Sequence, residues 1–116
     1  MGDGGFLMNV QELETATRLG VRFVALVFND NDYGLISWKQ RRHRQRAVST
    51  RIANPDFLSL ASSFGVRGAR AANMGELRPI LKQAIGDDAI WLIEVPVDPS
   101  VNDALATRLA APSDAL

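Results

Sequence analysis

Near the start of the chain, Val10, Leu13 and Thr17 recur at helical spacing with Phe6 and Ala16 beside them, and Gly20 follows as a natural C-terminal stop. This predicts a single helix over residues 6–19. Val21 to Phe28, VRFVALVF, is then a nearly unbroken apolar run of strand length, the pattern of a strand covered on both faces, and it ends at Asn29-Asp30-Asn31-Asp32. A second helix is punctuated by Asn54 as cap and Pro55 at the first helical position, with Phe57, Leu58, Leu60 and Ala61 on one face before Gly65. Val66 to Ala72 reads as a short strand. Leu77, Ile80, Leu81, Ala84 and Ile85 follow the i, i+3, i+4, i+7, i+8 rule of a third helix, with Pro79 in its first two turns. Ala89 to Val97, AIWLIEVPV, is a further buried-looking strand ahead of a polar tail, and Trp91 and Phe28 are assigned to the core.

Helices alternating with apolar strands predict an α/β fold, a three-layer α/β/α domain with a mostly parallel sheet whose ligands bind outside the carboxyl ends of the strands. At 116 residues the chain is one domain at most. Met1-Gly2-Asp3-Gly4 reads as a turn that follows a strand, yet no strand precedes it, and a parallel sheet without that strand exposes an apolar edge. The expectation is therefore the later part of a larger domain, lacking its first part.

Composition narrows the function classes. With 47% hydrophobic and 22% charged residues the chain should fold, and thirteen basic against thirteen acidic residues give no net charge to recruit nucleic acid or an acidic membrane. The absence of cysteine excludes disulfides, thiolate metal sites and a Cys nucleophile, and fits a reducing compartment. No apolar run approaches the roughly 20 residues that span a bilayer, and Met1 to Gly5 has neither the basic nor the apolar region of a signal peptide. A cytoplasmic location is expected.

Gly2-Asp3-Gly4 by itself has the composition of an ordinary tight turn. Its meaning comes from the spacing to the acidic run: 24 residues separate Gly4 from Asn29, and they read as one helix and one strand, the second half of a right-handed βαβ crossover. The helix and strand, roughly 18 and 23 Å long, bring Asp3 back beside the Asn29–Asp32 loop. Oxygen ligands from Asp3, Asp30 and a backbone carbonyl near Asp32 suit a small hard cation such as magnesium, which completes its shell with phosphate oxygens and water. Gly4 and Gly5, just ahead of the expected helix, would turn free N–H groups toward an anion. Cation and helix terminus together describe a diphosphate site.

The stretch GDGGFLMNVQELETATRLGVRFVALVFNDNDYG, residues 2–34, resembles the thiamine diphosphate motif of cofactor-dependent decarboxylases and carboligases, a GDG turn followed by Asn-Asn or Asn-Asp. The resemblance implies a thiamine diphosphate-binding fold in which Asp3, Asp30 and the main chain of Asp32 hold Mg2+. Gly2, Gly4, Gly5 and Asn29, with Tyr33 and Gly34, complete the cofactor-binding set. Asp30 stands where many members carry Asn, which adds negative charge beside a diphosphate. Farther on, NPDFLSLASSFGVRGARA and IWLIEVPVDPSVNDALATRL resemble the carboxyl-terminal part of acetolactate synthases, so the likeness implies a partial cofactor domain over residues 1–109 and a tail over 110–116.

The implied whole enzyme decarboxylates pyruvate and joins the product to a second 2-oxo acid, although related decarboxylases, lyases and oxidases end similarly. In that family a glutamate acts from a separate pyrimidine-binding domain of the same or a partner subunit. The resemblance thus implies a homodimer or tetramer for the full enzyme, no catalytic residue in this chain, and no activity for the chain alone. It also predicts that Asp3→Ala abolishes cofactor retention with little change in fold.

Rival readings are weaker. Asp30-Asn31-Asp32-Tyr33-Gly34 opens like a calcium loop, but the Gly arrives one position early and Arg41 stands where the twelfth-position Glu belongs. Lys39, Arg41, Arg42, Arg44 and Arg46, interspersed with Trp38 and His43, form one basic cluster. It suggests a nucleic-acid or acidic-partner surface, against the plain alternative of a solvated helix or loop, and the resemblance to thiamine diphosphate enzymes implies part of a cover over the site. His43, the single histidine, has no second His for a zinc site and is expected to be exposed. A non-catalytic interaction fragment is the third class of answer.

Overall fold

A computed structural model describes residues 1–102, so the expected boundary at residue 109 and the 110–116 tail lie outside the described residues. Three apolar segments pair in parallel: β1 (Val24–Asn29), β2 (Arg67–Arg70) and β3 (Trp91–Pro96), in the order β1-β3-β2. Val27 of β1 and Arg70 of β2 both stand opposite Glu94 of the central strand. Ahead of β1, Met1 and Gly2 lie alongside it: the Phe28 N–H donates to the Met1 carbonyl at 2.9 Å, and Gly2 forms a parallel bridge with Phe28.

Helices cover both faces, as the alternation of elements predicted. On one face α1 (Asp3–Leu7), α2 (Glu12–Leu19) and α4 (Phe57–Ser63) bury Phe6, Leu13, Phe57 and Ala61 against Ala25, Val27 and Leu92. On the other, α5 (Met74–Gly86) packs Leu77 and Ala84 against Trp91 and Ile93. Burying a Leu or Phe side chain contributes about 1.5–3 kcal/mol, so these two clusters drive the assembly of the layers. A further helix, α3 (Gly34–Arg44), follows the acidic loop at the carboxyl end of the sheet.

Several local expectations give way. The single helix over residues 6–19 is two: α1 begins at Asp3, where the Phe6 N–H closes the first turn onto the Gly2 carbonyl, and the path tightens between Met8 and Gln11. There the Asn9, Glu12 and Leu13 amides bond carbonyls three residues back, a 3₁₀-like link placed where Asn9 disfavours continuous helix. The cap of α4 is Asp56, which accepts from the Leu58 amide and the Ser59 hydroxyl, rather than Asn54, whose side chain is needed elsewhere. Ile85, expected on the buried face of α5, is 71% exposed, and Phe28, assigned to the core, is 41% exposed at the end of β1. Trp91 is in the core as expected, and its indole N–H donates to Asp87.

The stops behave as written in the sequence. Gly20 and Gly65 take left-handed conformations with φ 64° and 69°, which only glycine adopts without strain, and each helix ends with the paired backbone bonds of a Schellman motif.

Candidate functional site

The carboxyl ends of β1 and β3, together with α1 and the start of α3, enclose a cleft of about 750 Å³. Gly2, Asp3, Gly4, Gly5, Asp30, Asp32, Tyr33 and Gly34 all line it, so the topology brings together eight of the nine positions singled out from the motif. Asn29, the ninth, does not line the cleft.

Asp3 is 2% exposed and is the hub. Its Oδ1 accepts the Gly4 amide at 2.9 Å, while Oδ2 accepts the Asn31 amide at 2.9 Å and the Asn54 side-chain amide at 2.6 Å. Three donors converging on one carboxylate fix its direction. Asn31 sits at φ 55°, a left-handed conformation that Asn tolerates better than most side chains, and this turn carries its N–H to Asp3. A short antiparallel tether holds the loop from the other side, the Tyr33 amide donating to Thr50 O and the Ile52 amide to Asn31 O.

Asp30 lies on the same cleft with less internal bonding: its Oδ1 accepts the Asp32 amide at 3.2 Å. Burial pushes its acidity toward weaker acid, the Asp32 amide opposes that, and the charges of Asp3 and Asp32 add to the upward shift. Two carboxylates repelling across a cleft create the field that a cation relieves. Asp32 differs. Burial acts against its charge, but the Ser37 and Thr50 hydroxyls and the Arg41 and Arg51 guanidiniums outweigh it and hold the carboxyl below its ordinary range. Its side chain faces Ser37 of α3 with Oδ1 buried and without a hydrogen-bond partner, and the motif gives the cation role to its main chain.

The residues fit a cation carrying a diphosphate. Among the described residues no three acidic, His or Cys side chains converge as metal ligands, so a cation here would take at most two carboxylates and fill its shell with carbonyl, water or ligand oxygens. That is how magnesium sits with a phosphate ligand. A Cβ at Gly2 or Gly5 would meet nothing within 4 Å, so the backbone there faces open space into which an anion can approach closely. The other two cleft glycines answer to the chain's own packing. A Cβ at Gly4 would stand 2.6 Å from the Tyr33 ring and 2.7 Å from Ile52, and one at Gly34 would collide with the Asp30 carboxylate. Gly4 and Gly5 also both lie inside α1 rather than ahead of it, and the Gly4 N–H is already taken by Asp3.

A family model described as thiamine pyrophosphate enzyme, C-terminal TPP binding domain, matches residues 1–95. The chain belongs to this family. Acetolactate synthase of Bacillus subtilis is 38% identical over 106 residues, 91% of this chain and 19% of the relative. The probable acetolactate synthase large subunit of Methanococcus aeolicus is 35% identical over 101 residues, 85% of this chain and 17% of its own. Among solved structures, the Rhodococcus jostii thiamine diphosphate-dependent 4-hydroxybenzoylformate decarboxylase superposes with a TM-score of 0.78 at 26% identity, covering 84% of this chain and 19% of that one. The chain thus spans about a fifth of the length of the proteins it matches.

Within this thiamine pyrophosphate-binding domain, two features escaped the motif. Asn54 donates to Asp3, to Asn29 Oδ1 at 2.9 Å and to Asn31 Oδ1 at 3.2 Å, and its own Oδ1 is buried without a partner. An Asn just ahead of Pro55 and a helical run reads as a cap, so only the fold shows it joining the site. Leu35, Ile36 and Trp38 of α3 form an apolar cleft wall with Phe28 and Val97, which explains why Leu35 and Ile36 stay 65% and 51% exposed. The basic cluster lies at the end of α3, where cations complement the helix dipole. Arg41 bonds Ser37 Oγ and approaches Asp32, and Arg42 lies 5.4 Å over the Trp38 ring. His43 is exposed, as expected. No helix among the described residues is long and apolar enough to cross a membrane.

Proposed function

We propose that this domain supplies the magnesium and diphosphate half of the cofactor site in an acetolactate synthase-like enzyme that decarboxylates pyruvate and joins it to a 2-oxo acid. The observation that carries the reading is the convergence of Asp3 and Asp30 on a cleft whose floor, at Gly2 and Gly5, is open backbone. Asp3 and Asp30 are the side-chain ligands of Mg2+ and Asp32 gives its carbonyl. Gly2 and Gly5 cradle the diphosphate, Gly4 makes room for Tyr33 and Ile52 against α1, Tyr33 and Gly34 complete the wall, and Asn29 holds the loop from behind. When bound, thiamine diphosphate supplies the electron sink for decarboxylation. This chain's residues bind and orient it: the charge of the diphosphate is matched at one end, and the apolar wall of α3 lines the cleft at the other. The proton-transferring glutamate comes from a pyrimidine-binding domain of the same or a partner subunit. The full enzyme is then a cytoplasmic homodimer or tetramer, and residues 1–109 by themselves are catalytically silent.

A second reading, an enzyme of the decarboxylase type, draws on the structural likeness to the Rhodococcus jostii decarboxylase. The 38% and 35% identities to acetolactate synthases against 26% to that enzyme favour the first. Asp30→Ala is the direct test, because Asp30 makes fewer internal bonds than Asp3. The expected result is loss of magnesium-dependent thiamine diphosphate binding in calorimetry with the circular dichroism spectrum retained. Parental affinity in this variant would contradict the ligand assignment.

A further inference from the structure

Glu94 is 4% exposed on the central strand, the one charged side chain buried on a strand among the described residues. It lies on the α4 face at the carboxyl end of β3, between Val27 and Arg70 of the flanking strands. Its Oε2 accepts Arg70 Nε at 2.7 Å and its Oε1 accepts the Asn29 side-chain amide at 2.7 Å. An apolar side chain of similar volume would pack at least as well as a buried ion pair, so stability gives no reason for a carboxylate here. Direction does.

An amide has a donor end and an acceptor end. With its nitrogen claimed by Glu94, Asn29 must turn its oxygen to the loop, where it accepts the Asn31 N–H at 3.1 Å and the Asn54 side-chain amide at 2.9 Å. Both of those donors also bond Asp3 Oδ2. A continuous chain of hydrogen bonds therefore runs from Arg70 on β2 through Glu94 and Asn29 to Asp3 in α1, across all three strands. Reversing the Asn29 amide would set its N–H groups against those of Asn31 and Asn54.

We infer that Glu94 is a positioning residue: by fixing the direction of the Asn29 amide it clasps Asn31 and Asn54 onto Asp3 and holds the cation loop in its binding geometry. The identity of the ligand rests on the function proposed above; the clasp itself does not. The test uses the full chain with Glu94→Gln and with the double variant Glu94→Gln/Arg70→Gln. In the single variant the introduced amide gives its one oxygen to Arg70 and turns its NH2 toward Asn29, reversing the Asn29 amide. In the double variant the glutamine introduced on β2 accepts the NH2 of the one introduced on β3, whose oxygen again accepts from Asn29.

Two readouts are taken, hydrogen exchange of the Asn31 amide by NMR and the affinity for thiamine diphosphate with Mg2+. Glu94→Gln is expected to speed that exchange and to weaken that affinity by about tenfold or more, the size typical of residues that orient metal ligands. The double variant is expected to restore both. Unchanged exchange in Glu94→Gln, or a folded double variant that recovers neither readout, would overturn the inference. Should Glu94→Gln unfold, the double variant decides alone: native exchange and affinity support the clasp, and loss of either in a folded chain refutes it. A parent chain that binds no cofactor but shows the expected exchange pattern would refute the proposed function and leave the clasp standing.

Discussion

The α5 layer and the loops around Asp3 flank the same central strand but are built on different terms. Under α5, Leu77 and Ala84 meet Trp91 and Ile93, and the helix start is closed internally, the Asn73 side chain accepting from the Glu76 amide at 3.0 Å while Glu76 reaches back to the Ala72 amide at 2.9 Å. Around the cleft, the buried groups are Asp3, Asp32, Ser37 and Thr50, and the left-handed turns at Asn31 and Ser49 are taken by side chains rather than glycine. In the first region volume decides which residue fits. In the second the direction of each donor and acceptor decides, and two carboxylates keep capacity for a ligand.

Substitutions can break this contrast. Trp91→Ala, which opens the core beneath α5, should cost about 3–5 kcal/mol in chemical denaturation; a loss below about 1 kcal/mol would show that this layer is not a packed core. Asp3→Ala should cost about 1–3 kcal/mol, because it leaves the buried Gly4 N–H without its acceptor and takes one acceptor from each of the Asn31 and Asn54 donors, and should also abolish cofactor retention. Gly34→Ala should leave stability within about 1 kcal/mol yet weaken magnesium-dependent binding about tenfold, since its Cβ displaces the Asp30 carboxylate. Equal affinity would remove Asp30 from the site. Asn73→Ala should cost only about 1 kcal/mol through the lost cap and leave binding untouched.

The same division explains what is legible in the sequence. The α/β alternation, the Gly20 and Gly65 stops and the return of Asp3 to the acidic loop follow from period and spacing, which are local. The Asn73-to-Glu76 cap of α5 is local too, an Asn three residues ahead of a Glu, although the apolar periodicity of that helix does not depend on it. Asn54 and Glu94 are out of reach for a different reason: each reads locally as a helix cap or a strand oddity, and its partner lies 51 or 65 residues away. The break at Met8 to Gln11 escapes because the apolar positions keep helical phase across it, so periodicity alone joins α1 and α2. Phe28 reads as core because an apolar run says nothing about where the covering helix stops.

The most direct measurement of the central claim is calorimetric titration of the chain with thiamine diphosphate in Mg2+ and again in excess chelator, with a circular dichroism spectrum of the same sample. Saturable binding in Mg2+ that disappears with chelator is predicted. A well-folded chain that binds no cofactor, or binds it equally well without the cation, would contradict the account.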